Sequence, residues 1–494
     1  MEMHERKNVV SSGPLHGATD GGDRALPFVG LDSAPGRWIL TASILGSGAV
    51  FVESSVANVA LPAIGREFGL GISGLQWIIN GYLLTLSALI LLGGALGDRY
   101  RRGRVFALGL VGFAASSLAC ALAPSAIILV CCRVLQGMAG ALVVPNSLAI
   151  LETTFEPSHR PTAIGRWAAG SSVSAALGPL VGGWLVDAFS WRWVFAVVVA
   201  FALAAAWIVV AHERHLPEAD RSAGTHSLDY RGAVLATVGL AGVVGALMTI
   251  PLLGARSSVV IVAAAGGAAC LVAFVIAERH ASAPLMPLEV FRSRQFSGAN
   301  LVTLFVYASL GILLFLLMLE LQDALGYSAL RAGLTLLPIN ILMLLLAPRA
   351  ARLAQRIGPR LPMTAGCVLT AAGMLLLLRV HPGARFGRDI LPAVVVFGLG
   401  LGTLVGPLTA AVLAAVEDRL AGVASAVNNA VARLAGLLAT AVLPLAAGLG
   451  GAESLRGDVL TQGFHRTMWM AAFLCLAGAL TSWLTIGQGG PPNH

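Results

Sequence analysis

The residue with the clearest chemical potential in this 494-residue chain is Glu53, a carboxylate inside a long apolar run. It lies about two-thirds of the way along the apolar stretch 38–61, and no other acid sits well inside such a stretch. Placing an ionised carboxylate mid-bilayer costs roughly 3 kcal/mol or more, depending on scale, so this one must be protonated, paired or facing a wet cavity. A group under those conditions suits the loading and release of a proton. Gly46, Ala49, Ala57 and Ala60 share its helical face, a small-residue surface for a cavity or a close helix. The competing reading is a static acid paired with a neighbouring helix.

Other residues are candidates by type and spacing. Arg133 lies inside the stretch 126–150, with Gln136 and Gly137 one turn on. It either modulates the acid or snorkels to the external interface. Arg433, following Asn428 and Asn429, either lines a cavity or sits just inward of the cytoplasmic interface. Gly170, Ser174, Gly178 and Gly182 recur every four residues, a face that lets another helix approach closely. Pro179 removes a helix hydrogen bond and permits a kink, and Gly183 extends the small-residue run. This segment either seals one end of a cavity and bends, or is ordinary glycine packing. Glu320 and Asp323 stand at the outer end of another stretch, where they meet cationic substrate or are simply solvated. Asn58, Asn80, Asn146, Asn300, Tyr307 and Asn340 are candidate cavity polars.

Holding such residues takes a membrane. The chain is 57% hydrophobic and 11% charged, against about 25% charged in a soluble domain. Intrinsic disorder needs the opposite composition. Fourteen apolar stretches follow one another between 38 and 487, each near the ~20 residues that cross a bilayer as a helix. The alternating ten-residue segments of a membrane barrel are absent. The fold class is therefore an all-α polytopic membrane protein. The six Cys lie in apolar stretches without a Cys-x-x-Cys, and the ten His lie outside the stretches, so neither points to a metal or haem. With a cytoplasmic N-terminus, 21 of the 32 Lys and Arg fall in cytoplasmic segments, nine in external ones and two within spans. That bias predicts both termini inside. The net charge of +8 is then a topology signal, and no basic soluble face exists for nucleic acid. The Arg-rich composition, with Lys7 as the only Lys, suggests a high-GC bacterium and hence its inner membrane.

The loop GALGDRYRRGR (Gly94–Arg104) and the later ARLAQRIGPR (Ala351–Arg360) read as two copies of one element between the second and third spans of two blocks. Internal repeats of this kind mark two-bundle secondary transporters. The expected layout is a tail over 1–37, six spans over 38–211 and a loop over 212–230. An inserted hairpin over 231–277, a loop over 278–296, six spans over 297–487 and a tail over 488–494 complete it.

Five segments resemble the major facilitator superfamily, specifically its fourteen-span drug:proton antiporter-2 branch. They are ESSVANVALP (Glu53–Pro62), the Gly94–Arg104 loop, RVLQG (Arg133–Gly137), GSSVSAALGPLVGG (Gly170–Gly183) and LQDALGYSALRAGLTLLP (Leu321–Pro338). The resemblance implies two six-helix bundles of the major facilitator fold plus two inserted helices. It implies proton coupling through Glu53, where the family carries Asp, with Arg133, Asn58 and Gln136 nearby. It also implies an antiporter motif at Gly170, Ser174, Gly178, Pro179, Gly182 and Gly183, and a gating loop at Gly94, Asp98, Arg99 and Arg102. Asp98 would face a helix N-terminus while Arg99 and Arg102 pair across the bundle interface. The loop departs from the family pattern at Arg101 and Gly103, and Gln355 replaces the acid in the second copy.

The function expected is export of hydrophobic or amphipathic small molecules, drugs or antibiotics, in exchange for protons by alternating access, in a monomer without cofactor. The proton gradient supplies the energy, since a Walker A loop needs a Lys after its glycines and Lys7 lies in the tail. The alternatives are a proton-coupled carrier of one metabolite and a membrane-embedded lipid-modifying enzyme. The latter needs clustered acids, His or a nucleophile at one interface.

Overall fold

Ser33 starts the first helix. Its hydroxyl accepts the Gly36 N–H at 3.1 Å, and a proline in the first turn fixes the entry. The helix ends at Gly69, whose φ of +63° is the left-handed conformation that glycine supplies cheaply. Ser125, Ser293 and Ser328 cap three further helices in the same way. The computed structural model describes residues 28–216, 230–281, 288–417, 420–450, 455 and 457–487. Among them there is no strand beyond one isolated bridge, Val29 to Phe155.

Among the described residues, fourteen spans are long and apolar enough to cross a membrane. The first six are α1 (Ala34–Phe68), α2 (Ile72–Arg99), α3 (Arg102–Ala121), α4 (Ala126–Thr154), α5 (Arg160–Ala188) and α6 (Arg192–Ala211). Next come α7 (Tyr230–Leu253) and α8 (Ser258–His280). The last six are α9 (Arg294–Leu319), the pair α10 (Ala329–Thr335) and α11 (Leu337–Ile357), α12 (Arg360–Leu376), α13 (Leu391–Leu413), α14 (Ala421–Ala446) and α15 (Gly457–Thr485). Helix α1 begins four residues before the apolar stretch does, because Ser33 and the proline set its start rather than hydropathy. Helix α15 begins at Gly457 instead of 468, which takes His465 into the helix. There its Nε2 meets the Val380 carbonyl at 2.6 Å. Most of the N-terminal tail, and much of the 212–230 and 278–296 loops, lie outside the described residues.

The packing repeats. In the first bundle α1 packs on α5 and α6, α2 on α4, and α3 on α4 and α6. In the second, α9 packs on α14 and α15, α11 on α13, and α12 on α13 and α15. Each pair in one bundle has its counterpart in the other, the two-fold internal relation expected of the repeated loop. The bundles meet along two matching seams, α2 with α14 and α5 with α10 and α11. Helices α7 and α8 form a hairpin that packs on α2 and α14 and so covers the first seam. Gly242 and Gly267 bring its two backbones together: a Cβ on either would fall within 2.8 Å of the other helix.

The spans define two ends. The near end carries the start of α1 and the Gly94–Arg104 loop; the far end is opposite. Every hydrogen bond between the bundles among the described residues lies toward the far end. Gln76 Nε2 donates to the Thr440 carbonyl at 2.6 Å, Thr440 Oγ1 to Asn80 Oδ1 at 2.7 Å, and Gln322 Nε2 to the Val59 carbonyl at 3.0 Å. Arg66 pairs with Asp323 at 2.7 Å, and the backbone N–H groups of Ala329 and Leu330 donate to the Asp187 carboxylate at 3.0 and 2.8 Å.

Candidate functional site

Helix α1 crosses α4 inside the first bundle, and the crossing brings Glu53 and Arg133 into a direct ion pair. Both side chains are buried, so the pair is a desolvated one. Arg133 does not snorkel to an interface. Its Nη1 also donates to Gln136 Oε1 at 2.6 Å, and its Nε to the Ile78 carbonyl at 3.0 Å. The guanidinium lies 4.3 Å from the centre of the Tyr82 ring and 5.8 Å from that of Phe195, within the range of cation–π attraction. Gln136 passes the network on, its Nε2 donating to Ser117 Oγ at 2.7 Å. The second oxygen of Glu53 has no hydrogen-bond partner among the described residues.

This geometry fixes what each group can do. Arg133 has four kinds of partner, and only one of them, Glu53, is an acid. Neutralising Glu53 removes the ion pair yet leaves the arginine held by Gln136, Ile78 and Tyr82. The carboxylate has no such reserve; its one strong partner is the arginine. Tyr82, which composition and spacing did not single out, links this centre to α1 through a hydrogen bond from Ser54 at 3.2 Å. Asn58, expected in the cavity, lies one turn from Ser54 and donates to its carbonyl at 3.3 Å.

The glycine face of α5 divides between two partners. A Cβ on Gly170 would meet Ile44, one on Gly178 would meet Ser55, and one on Gly182 would meet Val56, all on α1. Ser174 closes against Gly48 of the same helix. Gly183 and Pro179 instead face α10. A Cβ on Gly183 would stand 2.6 Å from the Ala329 carbonyl oxygen and 2.6 Å from Leu330 Cα. In return, one on Gly333 of α10 would run into the Pro179 carbonyl. The segment therefore joins α1, which carries Glu53, to the far-end seam. Asp187, which the sequence reading passed over, adds the hydrogen bonds that anchor α10 there.

The gating loop is arranged differently from expectation. Asp98 pairs with Arg102 at 2.6 Å, one turn along, and Arg102 also donates to the Ala149 carbonyl of α4 at 3.0 Å. Both contacts stay within the first bundle. No cross-bundle pair of Arg99 or Arg102 occurs among the described residues, and Asp98 does not cap a neighbouring helix. The bundles are joined at the far end, so the near-end loop has no partner bundle against it. A Cβ on Gly94 would make only ordinary contact with Pro145, whereas its neighbours serve close approach: Asn146 of α4 donates to the Gly93 carbonyl at 2.9 Å, and a Cβ on Gly97 would overlap that side chain. Arg101 and Arg104 pair with Glu213 at 3.4 and 2.7 Å, tying α3 to the segment after α6.

The outer-mouth acids also part company. Asp323 is on the surface side and pairs with Arg66. Glu320, read as interfacial and solvated, is fully buried, and Thr461 Oγ1 of α15 donates to it at 2.5 Å. A π-helical turn over Glu320–Ala324 extends α9, and Glu320 continues the fully buried end of that helix, where Phe315 to Leu319 are buried on every side. Among the described residues Glu320 is thus a further buried carboxylate beside Glu53 and Glu278, at the far end of the second bundle. Among the other polars, Asn80 bonds Thr440 across the seam, Asn300 accepts from Asn428 at 3.1 Å, and Tyr307 and Asn340 are half-buried.

Comparison with known proteins agrees with this architecture. Residues 43–440 match the family model described as Major Facilitator Superfamily. The chain is 34% identical over 418 residues to the tetracenomycin C resistance and export protein of Streptomyces glaucescens, covering 84% of this chain and 77% of that one. It is 33% identical over 470 residues to a puromycin resistance protein of Streptomyces alboniger, covering 92% of each. Among solved structures, a bacterial homologue of the human lysosomal transporter Spinster superposes with a TM-score of 0.64 at 17% identity, over 92% of this chain and 98% of that one.

Proposed function

The chain belongs to the major facilitator superfamily and is a multi-pass membrane transporter, and from that premise we propose that it exports amphipathic small molecules in exchange for protons, with Glu53 as the proton carrier. The observation that carries this reading is the buried Glu53–Arg133 pair. Its support is chemical: protonating Glu53 converts a neutral ion pair into a free arginine still held in place, so a single proton changes how α1 is held against α4. Helix α1 also packs on the glycine face of α5, whose Pro179–Gly183 end presses on α10. A change at Glu53 is therefore mechanically adjacent to the far-end seam.

In the cycle proposed, substrate enters between the bundles from the near end, taken as the cytoplasmic side of a bacterial inner membrane. The far-end seam opens, substrate leaves, and a proton reaches Glu53 from outside. The protonated state closes the far end again and releases its proton inward. The resistance and export roles named for the Streptomyces relatives favour antibiotics as cargo. The protein works as a monomer, since the two bundles and both seams come from one chain.

The test is an everted-vesicle assay. Tetracenomycin C added to energised vesicles should partly dissipate the pH gradient, and Glu53→Gln should abolish this. Normal proton-coupled transport by the Gln variant removes Glu53 from the role.

A further inference from the structure

The spans contain one cation for which the proton site has no use. Arg433 sits near the middle of α14 (Ala421–Ala446). Among the described residues it makes no ion pair and no hydrogen bond, and its Nε is buried without an acceptor. A permanently charged guanidinium at that depth costs roughly 2.5–3.5 kcal/mol on insertion scales, and such residues normally face a partner or a water-filled cavity. The nearby acids do not supply the partner. Glu53 is taken by Arg133, and Glu320 lies at the far end, bonded to Thr461.

The surroundings of Arg433 show which way it faces. Ser425, Asn429 and Arg433 recur at four-residue intervals and so form one stripe along α14. Asn429 is exposed and Arg433 half-buried, so packed protein does not close over this part of the stripe. Thr440, seven residues on and on the same side, bonds Asn80 and Gln76 of α2, so this side of α14 looks at the first bundle. Arg433 lies within electrostatic reach of the Tyr82 hydroxyl, the same tyrosine whose ring covers Arg133. The stripe thus fronts the space between the bundles, nearer the open end than the Thr440 contacts, and brings one unbalanced positive charge to it.

We propose that Arg433 is the counter-ion for a negatively charged substrate group, so that the cavity selects amphipathic aromatic molecules bearing a carboxylate or phenolate over cationic ones. The guanidinium offers a planar fork of donors suited to such oxygens. This rests on the export reading and names its substrate class.

The experiment separates the two by measuring binding rather than export. Full-length protein in lipid nanodiscs is titrated with anthracene carboxylate and, separately, with its aminomethyl counterpart, following ring fluorescence. The carboxylate should bind the natural protein more tightly than the amine. Arg433→Gln should weaken the carboxylate about tenfold or more and leave the amine unchanged or tighter, and Arg433→Lys should recover part of the loss. Equal weakening of both probes, or no weakening of the carboxylate in a variant whose thermal unfolding is unchanged, overturns the proposal. If instead Arg433 serves as an alternative partner for Glu53, Arg433→Gln abolishes proton coupling without discriminating between probe charges, which also overturns it. Charge-selective binding without proton-coupled export would uphold the substrate class and refute the export mechanism.

Discussion

Consider Gly183→Ala, one methyl group added at the far-end seam. The new Cβ would stand 2.6 Å from the Ala329 carbonyl oxygen and from Leu330 Cα, where ordinary contact begins at about 3.4 Å. Both obstacles are backbone atoms, so no side-chain rotation relieves the overlap; α5 and α10 must separate. Overpacking of this kind costs roughly 1–3 kcal/mol, and because the contact exists only with the far end closed, the cost falls on that state alone. A differential of that size shifts a two-state equilibrium by about 5- to 150-fold. The shift can be read with spin labels at the exposed positions Phe189 and Leu334, in protein from which Cys131 and Cys270 have been removed. Natural protein should give mainly the short far-end distance, and Gly183→Ala a dominant longer one. Gly165→Ala, with nothing within 4 Å of the added methyl, should leave the distribution unchanged. Gly182→Ala strains the contact with Val56 inside the first bundle and should lower thermal stability without favouring the long distance. An unchanged distribution in a well-folded Gly183→Ala protein would refute the idea that this glycine permits the seal.

Other outcomes follow from the same contacts. Arg133→Met leaves the Glu53 carboxylate buried without its partner and should cost about 3–5 kcal/mol, read as a lower unfolding temperature. Adding Glu53→Gln should recover much of that loss, and a double variant no more stable than Arg133→Met would show that the pair is not what the arginine supports. Asp187→Ala removes the acceptor for two N–H groups at the start of α10, worth about 0.5–2 kcal/mol, so it should shift the Phe189–Leu334 distance in the same direction as Gly183→Ala but by less. At the near end, Arg104 and Arg101 hold the Glu213 carboxyl below its ordinary value. Its contribution is therefore present above the unfolded-state value and lost as the pH falls through the lowered one. Hydrogen exchange in the segment after α6 should be slower in natural protein than in Glu213→Gln at pH ~7, and the difference should begin to shrink as the pH falls below the ordinary carboxylate range, about 4, and vanish once it lies below the lowered value.

Much of this was readable in the sequence because a bilayer imposes simple rules. Hydropathy locates spans, since lipid tolerates few exposed charges, and the repeated loops located the two blocks because each joins the second and third spans of its bundle. Glu53 was legible for the same reason: a buried carboxylate is costly enough to stand out. Its partner was named only through the family resemblance and against a snorkelling alternative, because Arg133 is near the start of its own span and position along one helix says nothing of which helix it meets. Glu320 was misread for a different reason. It lies at the end of a span by count, but that end of α9 is packed on every side within the second bundle, and an apolar pattern along one helix does not record which of its ends the neighbouring helices cover. The gating loop was read through a resemblance whose cross-bundle contacts belong to a state closed at the near end, whereas here the bundles meet at the far one. Asp187 escaped notice because its role is to satisfy backbone N–H groups of a helix far away in sequence.

The central claim is that Glu53 carries the proton that drives transport, and it is tested most directly by accumulation in proteoliposomes with the membrane potential clamped at zero and a pH step imposed. One exchanged proton per substrate predicts a concentration ratio of about tenfold per pH unit, since a unit of pH is worth 1.36 kcal/mol. The natural protein should approach that ratio, Glu53→Asp should retain it in part, and Glu53→Gln should equilibrate substrate to equal concentrations on both sides. A Glu53→Gln protein that still concentrates substrate in response to the pH step would contradict the account.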